Sequence, residues 1–178
     1  RDCGDYAFLI AKAKDYCLAP DSPNLDFISR NPEFRRIYSA YEDRLRSTGN
    51  VDFGDLILIP ALLLEKDETI RNRTRQRFRV ILVDEYQDSN IAQFRLLQQL
   101  AGSDTMLCVV GDDDQNIYEF RGASSKHLEQ FILKNKAIKH ELIENYRSKS
   151  NLVNFSNQFV KRISCRLKQT PIIARQND

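Results

Sequence analysis

Apolar positions in the first fifty residues recur at helical spacing, whereas those of the second half gather into short unbroken runs. Tyr6, Leu9, Ile10, Ala13 and Cys17 share one face of a helix over residues 1–19, which Pro20 ends. Turn-forming residues fill positions 20–32, including Asp21-Ser22-Pro23-Asn24 and Asn31-Pro32. Phe34, Ile37, Tyr38, Tyr41 and Leu45 predict a second helix from about Pro32, with Gly49 as its C-terminal stop. Residues 54–65 are strongly apolar, and Pro60 marks a kink or a restart.

The pattern then changes. Val80-Ile81-Leu82-Val83 is wholly apolar and runs directly into Asp84-Glu85, which predicts a buried parallel strand with a site at its C-terminal edge. A helix follows over 90–101, through Ile91, Phe94, Leu97, Leu100 and Ala101, and Gly102 ends it. Met106 to Val110 predicts a second buried strand closed by Gly111-Asp112, with Cys108 a buried thiol inside it. Leu128, Phe131 and Ile132 place a helix over 124–136, Ile138 to Ile143 a third strand, and Leu152 to Ile163 a last helix. The tail from about Ser164 has no clear pattern. Strand, helix, strand, helix, strand predicts an α/β parallel sheet with right-handed crossovers, preceded by a purely helical third of the chain. There is no internal repeat.

Composition narrows this only a little. The chain has 178 residues, 42% hydrophobic and 29% charged, an ordinary globular balance with room for one domain or one domain and a small partner. The net charge of +2 neither requires nor excludes nucleic acid, because a binding groove needs local rather than average charge. No apolar run reaches membrane-spanning length, and the first residues show no signal-peptide pattern, so no membrane partner is expected. Cys3, Cys17, Cys108 and Cys165 form no C-x-x-C pair, which argues against zinc and for a reducing, cytoplasmic setting. The sole methionine is Met106 and the chain opens on Arg1, so a start inside a longer protein is expected.

Three strand ends carry the candidate chemistry. Asp84 and Glu85 sit where a strand leaves its sheet; acids there hold Mg²⁺ or orient an attacking water in nucleotide hydrolysis. The plainer role for the neighbouring Asp88, Ser89 and Asn90 is to cap the next helix. Asp112, Asp113 and Asp114 repel one another unless solvated, capped or close to a cation. Tyr118, Phe120 and Arg121 follow, and aromatic rings interleaved with a cation suit single-stranded nucleic acid, at about 1–3 kcal/mol per stacked base. Ordinary core packing is the alternative for the two rings. Arg147, at the end of the third strand, suits charge developing on a phosphoryl group, or alternatively a salt bridge to the acids. The arginines at 71, 73, 75, 77 and 79 read either as phosphate contacts or as a solvated connecting face.

Taken in order, four strings resemble the motor motifs of the UvrD/Rep/PcrA-type DNA helicases. They are Val51-Asp52-Phe53-Gly54-Asp55-Leu56; Ile81-Leu82-Val83-Asp84-Glu85-Tyr86-Gln87-Asp88; residues 109–123, from Val109-Val110-Gly111 through Asp114-Gln115 to Gly122-Ala123; and Leu142-Ile143-Glu144-Asn145-Tyr146-Arg147-Ser148. The resemblance covers about 51–160. It implies a RecA-like P-loop NTPase parallel sheet with flanking helices, and an ATP-dependent enzyme moving 3′-to-5′ on single-stranded DNA.

The resemblance also implies roles. Asp84 serves Mg²⁺, Glu85 activates the hydrolytic water, and Gln115 senses the γ-phosphate and couples it to DNA. Gln87 and Asp88 link the ATP cleft to the rest of the motor. Tyr146 packs on the nucleotide base, Arg147 is an arginine finger in cis, and Tyr118, Phe120 and Arg121 contact DNA. The implied partners are ATP, single-stranded DNA or duplex junctions, and the remainder of a helicase chain. Phe120 stands where the family usually has tryptophan, and Glu119 where it has glycine. None of the six glycines lies in a G-x-x-x-x-G-K-[ST] loop, which supplies the phosphate cradle. The expected layout is therefore a helical insertion over 1–50, the C-terminal part of a first motor domain over 51–142 and the start of a second over 143–178. The chain alone is expected neither to hydrolyse ATP nor to unwind DNA. The alternative is a non-hydrolysing relative that binds DNA or protein.

Overall fold

The computed structural model describes residues 3–116, 125–163, 166–168 and 170–176. Helix α1 (Cys3–Asp15) is followed by a 3-10 turn at Pro23–Phe27 and by α2 (Pro32–Ser47). Both start as their sequences dictate. Ser22 and Asn31 lie in extended conformation and accept hydrogen bonds from the amides of Asn24 and Glu33, each with proline at the first turn, where no N–H is needed. Ile10, Ala13, Leu18, Leu25, Phe34 and Tyr38 make the first buried cluster, and the Tyr38 hydroxyl donates to the Leu18 carbonyl.

Helix α3 (Asp55–Lys66) runs through Pro60 without breaking, and α4 (Glu68–Arg75) follows after the Asp67 cap. Two arginines of the basic run are structural. Arg71 donates to the carbonyls of Leu64 and Glu65 at the end of α3, and Arg75 to those of Gln98 and Gln99 at the end of α5 (Ile91–Leu100). Each thereby satisfies carbonyls that a helix end leaves unpaired. Asn90 caps α5 in a reciprocal capping box with Gln93, so the capping role falls to Asn90. A second cluster, Cys17, Leu58, Ala61 and Ala92, packs α3 and α5 against the end of α1.

Strand β1 (Val80–Val83) pairs in parallel with β2 (Met106–Val109), Val80 opposite Met106 and Val83 opposite Val109. The expectation of two buried strands is corrected. Val80, Leu82, Met106 and Cys108 point to one exposed face, with Leu82 73% accessible, so the Cys108 thiol is not buried. Burial of a parallel strand needs cover on both faces. Here only the face of Ile81, Val83, Leu107 and Val109 is half-covered.

Helix α6 (Ser125–Asn135) places Phe131 edge-on to Tyr86, with ring centroids 5.6 Å apart. The third strand is also corrected. Residues 138–143 are irregular, and β3 is Glu144–Lys149, paired in parallel with β4 (Ile173–Gln176) in a separate two-stranded sheet. The partly alternating segment 138–143 forms no strand, although the Ile143 carbonyl at its end accepts from the Ile173 amide at 2.7 Å, whereas the more polar Glu144–Lys149 pairs with the C-terminal segment. Asn145 to Ser148 therefore lie within a strand rather than at its end. Helix α7 (Ser150–Phe159) connects β3 back toward β4. The architecture is mixed α/β, with short parallel strand pairs and several helices. No helix among the described residues is long and apolar enough to cross a membrane.

Candidate functional site

The two strands of the first sheet end side by side, and their ladder continues into the following turns. The Val110 amide donates to the Val83 carbonyl at 2.7 Å, and the Tyr86 amide to the Val110 carbonyl at 2.9 Å. Segments 84–88 and 111–115 are thus held together by backbone before any side chain acts.

Glu85 adopts a left-handed conformation, φ 49°, which a residue with a side chain rarely takes. Its amide donates to Asp84 Oδ1 at 2.9 Å. That turn leaves both carboxylates exposed on one side, the geometry a shared cleft requires, although adjacent strand residues would face opposite ways. Sparsely populated backbone conformations are tolerated where a site fixes them.

Gln87 joins the two strand ends. Its side chain is buried, its Nε2 donates to Glu85 Oε2 at 2.8 Å, and its Oε1 accepts the Asp112 amide at 2.9 Å. Asp112 passes the connection on, because its Oδ2 accepts from Gln115 Nε2 at 2.8 Å. One continuous chain of hydrogen bonds therefore runs Glu85, Gln87, Asp112, Gln115. Gly111 makes room for it: a Cβ there would stand 2.8 Å from Gln87 Oε1.

Beside this chain lies a hollow of about 430 Å³, lined by Asp84, Glu85, Tyr86 and Asp88 at its polar side and by Leu96, Leu97 and Leu100 of α5 on its floor. Among the described residues, Asp88 Oδ1 is buried without a hydrogen-bond partner, as is the Tyr86 hydroxyl. Burial pushes the Tyr86 phenol up to about 12. Asp84, Glu85 and Asp88 line this hollow without converging on one point; among the described residues only Glu42, Asp52 and Asp55 converge in that way, around the Lys14 ammonium. A hard cation such as Mg²⁺, which needs one or two carboxylates and keeps several waters, fits a single acid of the hollow.

The acids of the second strand end are met by cations. Arg166 grips Asp114 through Nε and Nη2, both at 2.6 Å, and Lys168 Nζ lies 2.9 Å from Asp112 Oδ1. Burial opposes ionisation of Asp112, but the hydrogen bonds from Lys168 and Gln115 outweigh it and hold the carboxyl below its ordinary range. These two basic residues fall in the tail that shows no pattern in sequence. The only signal was the need of Asp112–Asp114 for a cation.

Tyr146 and Arg147 lie on β3, exposed. The Tyr146 hydroxyl donates to Glu144, and the Arg147 amide to Asn145 Oδ1. Among the described residues, neither side chain bonds to Asp84, Glu85, Gln87 or Gln115. The structure thus brings together the predicted residues of the first sheet and leaves Tyr146 and Arg147, from the fourth string, on a different one. Tyr118, Phe120 and Arg121 lie outside the described residues.

The Val51–Leu56 string has a different use. Lys14, buried, places its Nζ 2.7 Å from each of Glu42, Asp52 and Asp55, tying α1, α2 and the start of α3 together. Gly54 lets the lysine stem pass, since a Cβ would come within 2.6 Å of Lys14 Cδ.

The model of the UvrD/REP helicase N-terminal domain matches residues 4–136. DNA helicase II of Haemophilus influenzae is 40% identical over 159 residues, 89% of this chain and 22% of that protein. The ATP-dependent DNA helicase Rep of Escherichia coli is 41% identical over 129 residues, 72% of this chain and 19% of its own length. The ATP-dependent DNA helicase UvrD1 of Mycobacterium bovis is 41% identical over 134 residues, 71% of this chain and 17% of its own. The chain thus spans about a fifth of the length of these relatives.

Proposed function

The chain belongs to the UvrD/Rep helicase family, and we propose that it is part of the motor core of an ATP-dependent 3′-to-5′ single-stranded DNA translocase. The observation that carries this reading is the hydrogen-bonded path from Glu85 through Gln87 and Asp112 to Gln115, at the ends of two parallel strands. In this reading residues 1–50 are a helical insertion, 51–142 the C-terminal part of a first RecA-like domain, and 143–178 the start of a second.

Asp84, with Asp88 beside it, would hold Mg²⁺, and the ion would supply positive charge to offset that of the bound triphosphate. Glu85 accepts the proton of the attacking water, and Gln87 holds the Glu85 carboxylate in place by donating to Oε2. Gln115 reaches the γ-phosphate and is tied to Glu85 through the same path, so a change at either end is felt at the other. Tyr146 packs on the base and Arg147 meets the charge developing on the phosphoryl group, which requires the second sheet to approach the first. Tyr118, Phe120 and Arg121 come shortly after Gln115 in sequence and contact the DNA.

A chimera tests the reading. Residues 4–136 replace the matching segment of Escherichia coli Rep, and ATP hydrolysis is measured with single-stranded DNA. The chimera is expected to hydrolyse ATP, and Glu85→Gln within it to slow turnover by about 10²–10⁴-fold, the usual contribution of a general base, while nucleotide still binds. Unimpaired turnover in the Glu85→Gln chimera overturns the assignment.

A further inference from the structure

The acidic loop at the end of β2 is met residue for residue by a short basic segment between α7 and β4. Arg166 binds Asp114 through two hydrogen bonds of 2.6 Å, the Leu167 amide donates to Asp113 Oδ2 at 2.6 Å, and Lys168 reaches Asp112 at 2.9 Å and Asp114 at 3.5 Å. These contacts are sheltered: the side chains of Asp114, Lys168 and Arg166 are 8%, 16% and 18% exposed. Such pairs are screened far less by salt than surface ones. Asp112 is the hinge of the arrangement. Its Oδ1 accepts from Lys168 and from the Asp114 amide, its Oδ2 from Gln115 Nε2, and its amide donates to Gln87.

We propose that residues 166–168 form a basic strap that sets the conformation of the Gln115 loop, with Lys168 a positioning residue for Gln115 acting through the Asp112 carboxylate. The strap hangs from the segment leading into β4, which pairs with β3, the strand of Tyr146 and Arg147. Gln115 is therefore tied on one side to Glu85 and on the other to the second sheet. A displacement of the second sheet moves the Asp112 carboxylate, and with it the side chain that the proposed function places at the γ-phosphate. The inference deepens that reading and rests on it for the meaning of Gln115. Its geometry is tested without nucleotide or DNA, so the two fail separately.

Isotope-labelled chain is examined by NMR for the side-chain amide of Gln115, the carboxyl of Asp112 and the ammonium of Lys168. Lys168→Met is expected to shift the Gln115 side-chain amide and to move the Asp112 titration upward, with Lys168→Arg restoring both. In an Asp112→Asn background the Lys168→Met change is expected to leave Gln115 unmoved. A folded Lys168→Met chain with an unchanged Gln115 amide overturns the proposal, as does failure of arginine to restore it. The unsubstituted chain gives an independent reading should the variant not fold. There the Lys168 ammonium and the Gln115 amide are expected to respond at the pH where Asp112 protonates, and the absence of either response overturns it too.

Discussion

At the scale of single residues, Gln87 and Gly111 show how much rests on one small contact. Gln87 is buried and bonded at both ends of its amide, so it has no free rotamer into which to retreat. A methyl group at 111 would press on its Oε1 and also approach the Gln87 and Tyr86 amides at 3.4 and 3.5 Å. Gly111→Ala is therefore expected to destabilise the chain by about 1–3 kcal/mol, the usual cost of overpacking. Urea unfolding measures this, and the amide resonance of Asp112 should move because its acceptor is displaced. Glu85 stands in a left-handed turn for an analogous reason: the conformation that points its carboxylate beside Asp84 is not one the residue prefers by itself.

At the scale of elements, a buried lysine joins the helical first third to α3, beside the apolar packing of Cys17 against α3 and α5. Lys14 on α1 meets Glu42 on α2 and Asp52 and Asp55 at the start of α3, and Tyr41 donates to Asp52 from α2. Burial disfavours the Lys14 ammonium, but the hydrogen bonds it donates to Asp52, Asp55 and Glu42 prevail and raise its pKa above the usual value. Removing the cation leaves carboxylates without a counter-charge. Lys14→Met is expected to cost about 3–5 kcal/mol, as breaking one side of a buried ion pair does. Thermal or urea unfolding measures this, and a cost below about 1 kcal/mol would show that the acids find water instead. The position of Asp52 and Asp55 in a motif-like string thus has an architectural explanation, independent of any ligand.

At the scale of the molecule, charge joins the loop after β2 to the segment between α7 and β4. The strap places Arg166 and Lys168 against Asp112, Asp113 and Asp114, with Gln115 sharing the Asp112 carboxylate. The Asp112 pKa is held below its ordinary value near 3.8, so the stabilisation it contributes is present above that value. It is lost as pH falls through the lowered pKa in the folded chain. Acidification from about pH 4 downward should therefore release the strap. The Leu167 amide, which donates to Asp113, reports the release as an upfield shift in NMR. A Leu167 amide that stays put while Asp112 titrates would show that the backbone alone holds the segment.

Local pattern determined much of this protein. Helical spacing located α1, α2, α5 and α6 to within a few residues, because a buried stripe must recur with the period of the helix. The apolar runs located β1 and β2, and Asp84 and Glu85 after β1 line the candidate hollow. Pairing was not legible. The run at 138–143 looks more strand-like than Glu144–Lys149, yet a strand exists only where another backbone meets its hydrogen bonds, and that partner lies in the patternless tail. Burial of Cys108 and Leu82 was misjudged for the same reason: exposure is a property of the covering layer, not of the run itself. The sequence named Asp84, Glu85, Gln87 and Gln115 as chemistry. Only the tertiary structure decided that Gln87 bridges two strand ends, that Lys14 gathers three acids, and that Lys168 shares Asp112 with Gln115, because those contacts join residues far apart in the chain.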